Sequence, residues 1–467
     1  MPVPPLQYPR SKDTGVDWLG SIPEHWDIRP AFGAYEPNIE RNTGMREKTV
    51  LSLSYGRIVV KPAEKLHGLV PESFETYQIV NPGDIVLRTI DLQNDHTSLR
   101  VGSVRNRGII TSAYLALRTK SGMTQGYGYQ FLNVWDMTKA IYGFGSGLRQ
   151  NLDFSHFKRM PVAVPPPAEQ ESIIRYLDHQ EVLIRKFIAS KQRFIALLNE
   201  QKQAIIQHAV TRGLNPNVRL KPSGVDLLGD VPEHWEARRL RTVADLIVSN
   251  VDKLITPGQV PVRLCNYVDA YKNERIIERI RFMKATASQE EVRRFRLQRG
   301  DVLVTKDSEE WDDIGVPSLV EYEAPDLVCG YHLGILRPRT GQVIGIFLLR
   351  ALQCTAVARQ LHVAANGVTR YGLSQGAIKD VSIPLPGVNE QKAITGALEA
   401  QLQPFSSAEA EAARQIALIR EYRTRLIADV VTGKVDVRNL SVEAAVAAVE
   451  EPGDVGEQEE QEALDAN

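Results

Sequence analysis

The chain has 467 residues, too many for one ordinary core, so two or more domains are expected. A charged fraction of 24% and the lack of any apolar run of about 18 residues exclude a membrane span and fit a soluble globular class. The net charge of −1 hides an asymmetry: residues 441–467 hold nine acids and no Lys or Arg, so the first 440 residues carry +8.

The first ten residues are Pro-rich and have no apolar core, so no signal peptide is read there. Ser21-Ile22-Pro23-Glu24-His25-Trp26 reads as a turn leading into a strand, with Trp26 destined for a core and His25 structural. Short β-rich segments follow at Val50–Leu53, Ile58–Val60, Asp84–Arg88 and Ala113–Leu117, most with Gly, Pro, Asn or Asp nearby. The stretch 128–139 reads as a helix. Pro165-Pro166-Pro167 then opens a long one, since Pro is tolerated at helix starts. In it Ile173, Leu177, Ile184, Phe187, Phe194, Leu198 and Ile205 fall on alternating spacings of three and four, with polar breaks at Gln180, Lys191 and Gln201, a coiled-coil stripe. At 1.5 Å per residue this helix is roughly 60 Å long. No small domain covers that length, so a second helix is its natural partner.

That second helix exists because the pattern repeats. Gly15 to Trp26 matches Gly224 to Trp235 at an offset of 209. Gly83-Asp84 matches Gly300-Asp301 at 217, and Leu152, Pro165, Glu169-Gln170 and Ile173 match Leu373, Pro386, Glu390-Gln391 and Ile394 at 221. Ordered matches of this kind mark a tandem duplication. The second copy has strands at Val260–Leu264, Asp301–Thr305 and Leu333–Leu336, a helix at 343–359, and a long helix with Ile394, Leu398, Phe405, Ala412, Ile419, Tyr422 and Leu426 on its stripe. Once the helices begin the offset no longer changes, so the helices are matched in length while the domains differ. Pro404, opposite Leu183 in the first copy, predicts a one-sided kink. The fold class is therefore α/β (mixed α+β), twice over.

Little chemistry is written in the sequence. A GxxxxGK[ST] phosphate loop and an (N/D/S)PP(Y/F/W) methyltransferase motif are both missing, and Gly143 to Gly147 reads as a flexible loop. Cys265, Cys329 and Cys354 suit neither a disulfide framework nor a zinc site, which makes a reducing cytoplasm the expected location. Glu200-Gln201-Lys202 and Glu390-Gln391-Lys392 fit a nuclease (D/E)xK string but read as solvated helix faces. Asp301 and Asp307 around Lys306 are more tempting, yet in the matching strand Asp84 is followed by Arg88, so the acid-Lys grouping is not shared by the two halves.

Two variable domains, each closing in a Pro-rich turn, a Glu-Gln pair and a long helix, resemble the specificity subunits of type I restriction-modification systems. The motifs that carry the likeness are Trp18 to Trp26, Gly145 to Leu152, Val162 to Gln170 and Val381 to Gln391. At the second junction Gln150-Asn151 gives way to Tyr371-Gly372. The resemblance implies target recognition domains at 1–164 and 213–383. It also implies spacer helices at 165–212 and 384–438, packed as an antiparallel coiled coil with pseudo-two-fold symmetry. An acidic, disordered tail over 439–467 lies outside it. The chain would then be a non-catalytic subunit without a cofactor, reading a bipartite double-stranded DNA target. Two modification subunits using S-adenosylmethionine would dock on it, joined by restriction and translocase subunits using ATP and Mg. Specificity for a stand-alone adenine methyltransferase, a self-contained DNA-modifying enzyme and a coiled-coil scaffold stay open as alternatives.

Base and phosphate contacts call for Arg, Lys, Asn or Gln on loops near a groove. The candidates are Arg88, Asn94, Arg100, Arg105, Arg107, Arg149 and Gln150 in the first domain. In the second they are Lys253, Arg263, Asn266, Lys284, Lys306, Arg370 and Tyr371. The cluster of Arg100, Arg105 and Arg107 stands out, with three Arg in eight residues.

Overall fold

The computed structural model describes residues 7–62, 73–90, 92, 98–144 and 151–438. It falls into two compact units: residues up to Lys191 together with those from Arg414 onward, and residues from Gln192 to Ala413. The acidic tail lies outside the described residues. Among those residues no helix is long and apolar enough to cross a membrane.

The first unit is built on a four-stranded antiparallel sheet in the order Tyr35–Pro37, Leu115–Thr119, Ile85–Leu87, Val101–Ser103. The helix Gln125–Met137 packs against it and buries Phe131, Leu132, Val134 and Trp135. The second unit repeats the order with Ala244–Val248, Leu333–Pro338, Val302–Thr305 and Pro317–Val320, then adds Arg275–Ile276 in parallel at the edge. A further three-stranded sheet, Met283–Ala287, Val260–Cys265, Leu327–Cys329, is its own. The helix read over 343–359 is two helices, Gly345–Gln353 and Thr355–Ala364, because Cys354 leaves helical geometry at φ −62, ψ 124.

The Gly-Asp motif shared by the two halves has one cause. Gly83 and Gly300 turn at φ +92 and +95, a region that favours glycine. The aspartate that follows is buried and bonds the neighbouring strand: Arg118 Nε donates to Asp84 at 3.0 Å, and Arg337 Nε to Asp301 at 2.8 Å. Asp301 is thereby a structural carboxylate and not a metal ligand.

The long helices span Pro167–Arg212 and Val388–Val431. The second runs unbroken through Pro404, which has no amide to give to the Ala400 carbonyl. In the first unit, Ile173 and Leu177 of one helix share a core with Val430 and Val431 of the other, and Arg423 Nε donates to Glu181 at 2.6 Å. In the second unit, Ile206 and Val210 share a core with Ile394 and Leu398, and Lys202 donates to Glu409 at 2.9 Å. Phe187 and Phe194 depart from the expected stripe and are 37% and 44% exposed. Each helix stops at a left-handed glycine, Gly213 (φ +73) or Gly433 (φ +74), set against a buried Trp. A Cβ there would come within 3.1 Å of Trp235 or 3.0 Å of Trp26.

The Glu-Gln pairs are not solvated helix faces. Gln170 and Gln391 are fully buried. Gln170 Oε1 accepts from the Thr124 amide at 2.7 Å, while its Nε2 donates to the Gly122 and Pro165 carbonyls at 2.8 Å each. Gln391 repeats this with the Ile344 amide (3.0 Å) and the Gln342 and Pro386 carbonyls (2.9 Å each). Both side chains thus fasten a long helix to the start of its domain's packing helix. Glu169 takes bonds from Tyr8, Trp26 and, at 2.8 Å, the His25 ring; Glu390 meets His234 at 3.0 Å. Replacing Gln391 with alanine strands one amide and two carbonyls out of water. The expected loss is about 2 kcal/mol of unfolding free energy. Urea titration checks this, and an unchanged midpoint would contradict the role given to Gln391.

Candidate nucleic-acid interface

The two units present a surface at the same place in their sheets, where the central strand ends. In the first, the Leu152 amide donates to the Thr89 carbonyl at 2.8 Å, just past Ile85–Leu87. In the second, the Leu373 amide donates to the Lys306 carbonyl at 2.8 Å, just past Val302–Thr305. Each bond docks the segment that leads towards a long helix onto the central strand. That brings sequence-distant candidates together: Arg88 lies beside the docked segment in the first unit, and Lys306 beside Arg370 and Tyr371 in the second.

The second surface is the better defined. Asn366–Gly367 and Tyr371–Gly372 form a small hairpin that pairs with Asp307–Ser308. Its tip is open to solvent, with Val368 93% exposed. Arg370 reaches Asp307 Oδ1 at 2.6 Å, and the His332 ring meets Asp307 Oδ2 at 2.7 Å. Asp307 is held by these two groups and Asp301 by Arg337, so the acid-Lys grouping around Lys306 does not assemble a metal site. Among the described residues no cluster of three metal-ligating side chains occurs. Burial pushes the Lys306 ammonium below the ordinary lysine range.

Aromatic groups surround this cluster. Tyr267 stacks on Tyr271 at 5.5 Å and stands edge-on to His332, while Tyr331 lies 3.6 Å from His332. Tyr331 and Trp311 are about half exposed, at 43% and 50%. The Tyr331 amide donates to the Val251 carbonyl at 2.9 Å, which brings the exposed loop with Lys253 alongside. His332, Tyr331 and Trp311 were missed in the sequence. The signal that could have found them is an aromatic residue inside the turn-rich segment 307–332.

Several candidates have other work. Arg100 is fully buried: its guanidinium donates to the Arg88 and Ile90 carbonyls and to the Tyr142 hydroxyl, and its amide to Asp136. It is a core residue, and the reading of it as a phosphate contact is corrected. Arg107 is engaged by Asn81 at 2.6 Å and Glu47 at 3.3 Å, which leaves Arg105 as the open arginine of that run. Arg263 makes a two-pronged pair with Asp326 at 2.8 and 2.7 Å, so its cation is already balanced. Asn266 caps the helix Tyr267–Lys272 by accepting from the Asp269 amide at 3.1 Å. Lys284, opposite Arg263 in the sheet, is exposed. Asn94, Arg149 and Gln150 lie outside the described residues.

No protein-family model matches the chain. Over 368 residues, 78% of this chain and 81% of the relative, it is 23% identical to the type I restriction enzyme MjaVIII specificity subunit of Methanocaldococcus jannaschii. Over 183 residues it is 26% identical to a protein of the same organism that carries the provisional name type I restriction enzyme MjaX specificity subunit. This second match spans 36% of the chain and 39% of that relative. A solved chain from work on complex assembly and conformational transition of the type I R-M system superposes with a TM-score of 0.60. It is 14% identical over 89% of this chain and 99% of that one, and it shows a shared fold. In sequence over most of its length, and in fold, the chain is similar to the type I specificity subunits. The cluster around Arg370 gathers exposed polar and aromatic groups of the second unit.

Proposed function

We propose that this specificity subunit reads a split double-stranded DNA target, one part with each unit. The target recognition domains are 1–164 and 213–383, and the paired helices 165–212 and 384–438 set the spacing between the two parts. The observation that carries this reading is the repeated docking bond, Leu152 to Thr89 and Leu373 to Lys306, at 2.8 Å in both units. One frame thus holds two surfaces of different chemistry. Opposite the Thr305-Lys306-Asp307 run of the second unit the first has Arg88-Thr89-Ile90. The ion pairs Glu181–Arg423 and Lys202–Glu409 support an antiparallel helix pair with pseudo-two-fold symmetry. Two modification subunits with S-adenosylmethionine would act on the DNA so addressed, with restriction and translocase subunits completing the assembly. This chain itself would supply the address and no catalysis.

The test is binding to the host's methylated target, mapped first from modified adenines. With the modification partner present, Arg370→Ala should cost about 1–3 kcal/mol on the cognate duplex and less on duplexes altered in the second half-site. Arg105→Gln should weaken all sequences alike and lower the salt slope by about one. If Arg370→Ala bound every duplex as the unaltered chain does, the hairpin would not be a reading element.

A further inference from the structure

We infer that the second unit carries a separate phosphate-binding groove, formed by Arg293 and Arg296, that grips the DNA backbone. This rests on the DNA reading above and adds to it residues that the recognition surface does not include. The groove, of about 430 Å³, is lined by Val260, Gln289, Val292, Arg293 and Arg296. Both arginines are exposed, and neither has a carboxylate within ion-pair distance among the described residues. Arg263, Arg337, Arg350 and Arg370 of the same unit, by contrast, each have an acid at 3 Å or closer.

The neighbouring Glu291 is occupied elsewhere. Glu291 accepts from the Ser288 amide and hydroxyl and from Asn250 Nδ2 at 2.9, 2.8 and 3.0 Å. Ser288 and Glu291 form a capping box that starts the helix Gln289–Phe295, and Phe295 and Val292 anchor it on Val262, Leu264 and Val328. The arginines are therefore fixed on a rigid element, with their charge uncompensated and facing a concave surface. A chain of phosphates supplies the missing anions.

The groove is built into the same body as the recognition surface. Asn250, bonded to Glu291, directly precedes Val251, which packs with Phe295 and accepts the Tyr331 amide. Val260 stands at one end of its strand and Asn266 just past the other, about 20 Å away at 3.3 Å per residue. A duplex advances about six base pairs over that length. A protein that reads bases at one end of the strand would thus meet the backbone again at the other. The first unit has no equivalent, because at the same offset of 217 its residues are Thr76 and Ile79.

The experiment measures salt dependence of binding to a long duplex of mixed sequence, using the full chain with its modification partner. Arg293→Gln with Arg296→Gln should lower the slope of log K against log salt by about 1.8, and by the same amount for every sequence. Arg293→Lys with Arg296→Lys should restore the slope, since a point charge suffices to neutralise a phosphate. The groove is overturned if the glutamine pair keeps the slope of the unaltered chain, or if the lysine pair falls with it. It is overturned too if inorganic phosphate titrates the groove while the duplex slope stays unchanged, for that is a small-anion site. Should the unaltered chain bind no duplex at all, the DNA reading itself fails, a result distinct from these.

Discussion

Replacing Arg350 with alanine should cost the second unit about 3 kcal/mol of stability. Its side chain is only 4% exposed, yet its guanidinium meets Glu274 at 2.9 and 3.1 Å, Glu399 at 2.6 Å and Gln353 at 2.7 Å. Glu399 belongs to the second long helix and Arg350 to the helix Gly345–Gln353, so this ion cluster clamps the two together. Removing one partner of a buried pair usually costs about 3–5 kcal/mol, because the other charge is left uncompensated. Both glutamates are about 40% exposed and can regain some water, which favours the lower end of that range.

The same cluster predicts a pH signature. Burial alone would push the Glu274 carboxyl up, but Arg350, helped by Gln353 and Arg275, holds the group below its ordinary 4.5. In the intact protein this contribution is present above pH 4.5 and is lost as pH falls through the depressed folded value. In the alanine variant burial is opposed only by the Gln353 hydrogen bond at 3.0 Å and by Arg275 at 3.7 Å, so the ionised carboxyl loses most of its compensation and protonation costs the fold less. The stability gap between the two proteins should therefore narrow as pH drops below about 4.5. Urea titrations at neutral and acid pH check both statements; a gap that is small at neutral pH, or that widens in acid, would contradict the clamp.

Much of the frame was legible because repetition is a property of sequence itself. The constant offset of 221 located two helices of matched length, and the strands around Gly83-Asp84 and Gly300-Asp301 fell where the turn and the apolar runs placed them. What could not be read was which polar residues the fold keeps for itself. Arg100 and Arg105 look alike in sequence. One follows a half-exposed Leu99 and turns into a core beside Asp136; the other sits on an exposed turn. Gln391 looked solvated because its neighbours Glu390 and Lys392 are charged, yet helical periodicity points it inward, onto the start of the packing helix. The hairpin around Arg370 was half legible: its residues were named, but the Tyr331–His332 pair comes from the turn before Leu333–Pro338, distant in the chain and joined to Arg370 through Asp307.

Exchanging residues 1–160 for the first domain of another specificity subunit should change one half of the DNA target and leave the other intact. Each base pair read wrongly costs about 1–3 kcal/mol, so a half-site of several pairs separates old target from new by orders of magnitude in affinity. The expectation of independence follows from how each surface is held. The cluster of Lys306, Asp307, His332 and Arg370 closes upon itself within the second unit. The Gln170 and Gln391 anchors tie each long helix to backbone groups, at Gly122 and Thr124 or at Gln342 and Ile344. Backbone anchors make little demand on the side chains of the domain they hold, so a foreign domain with the same turn geometry can be accepted without disturbing the other reader. Methylome mapping of cells carrying the exchanged protein reads the outcome directly. If both half-sites changed, the two surfaces would be coupled, and the spacer helices would be transmitting more than distance.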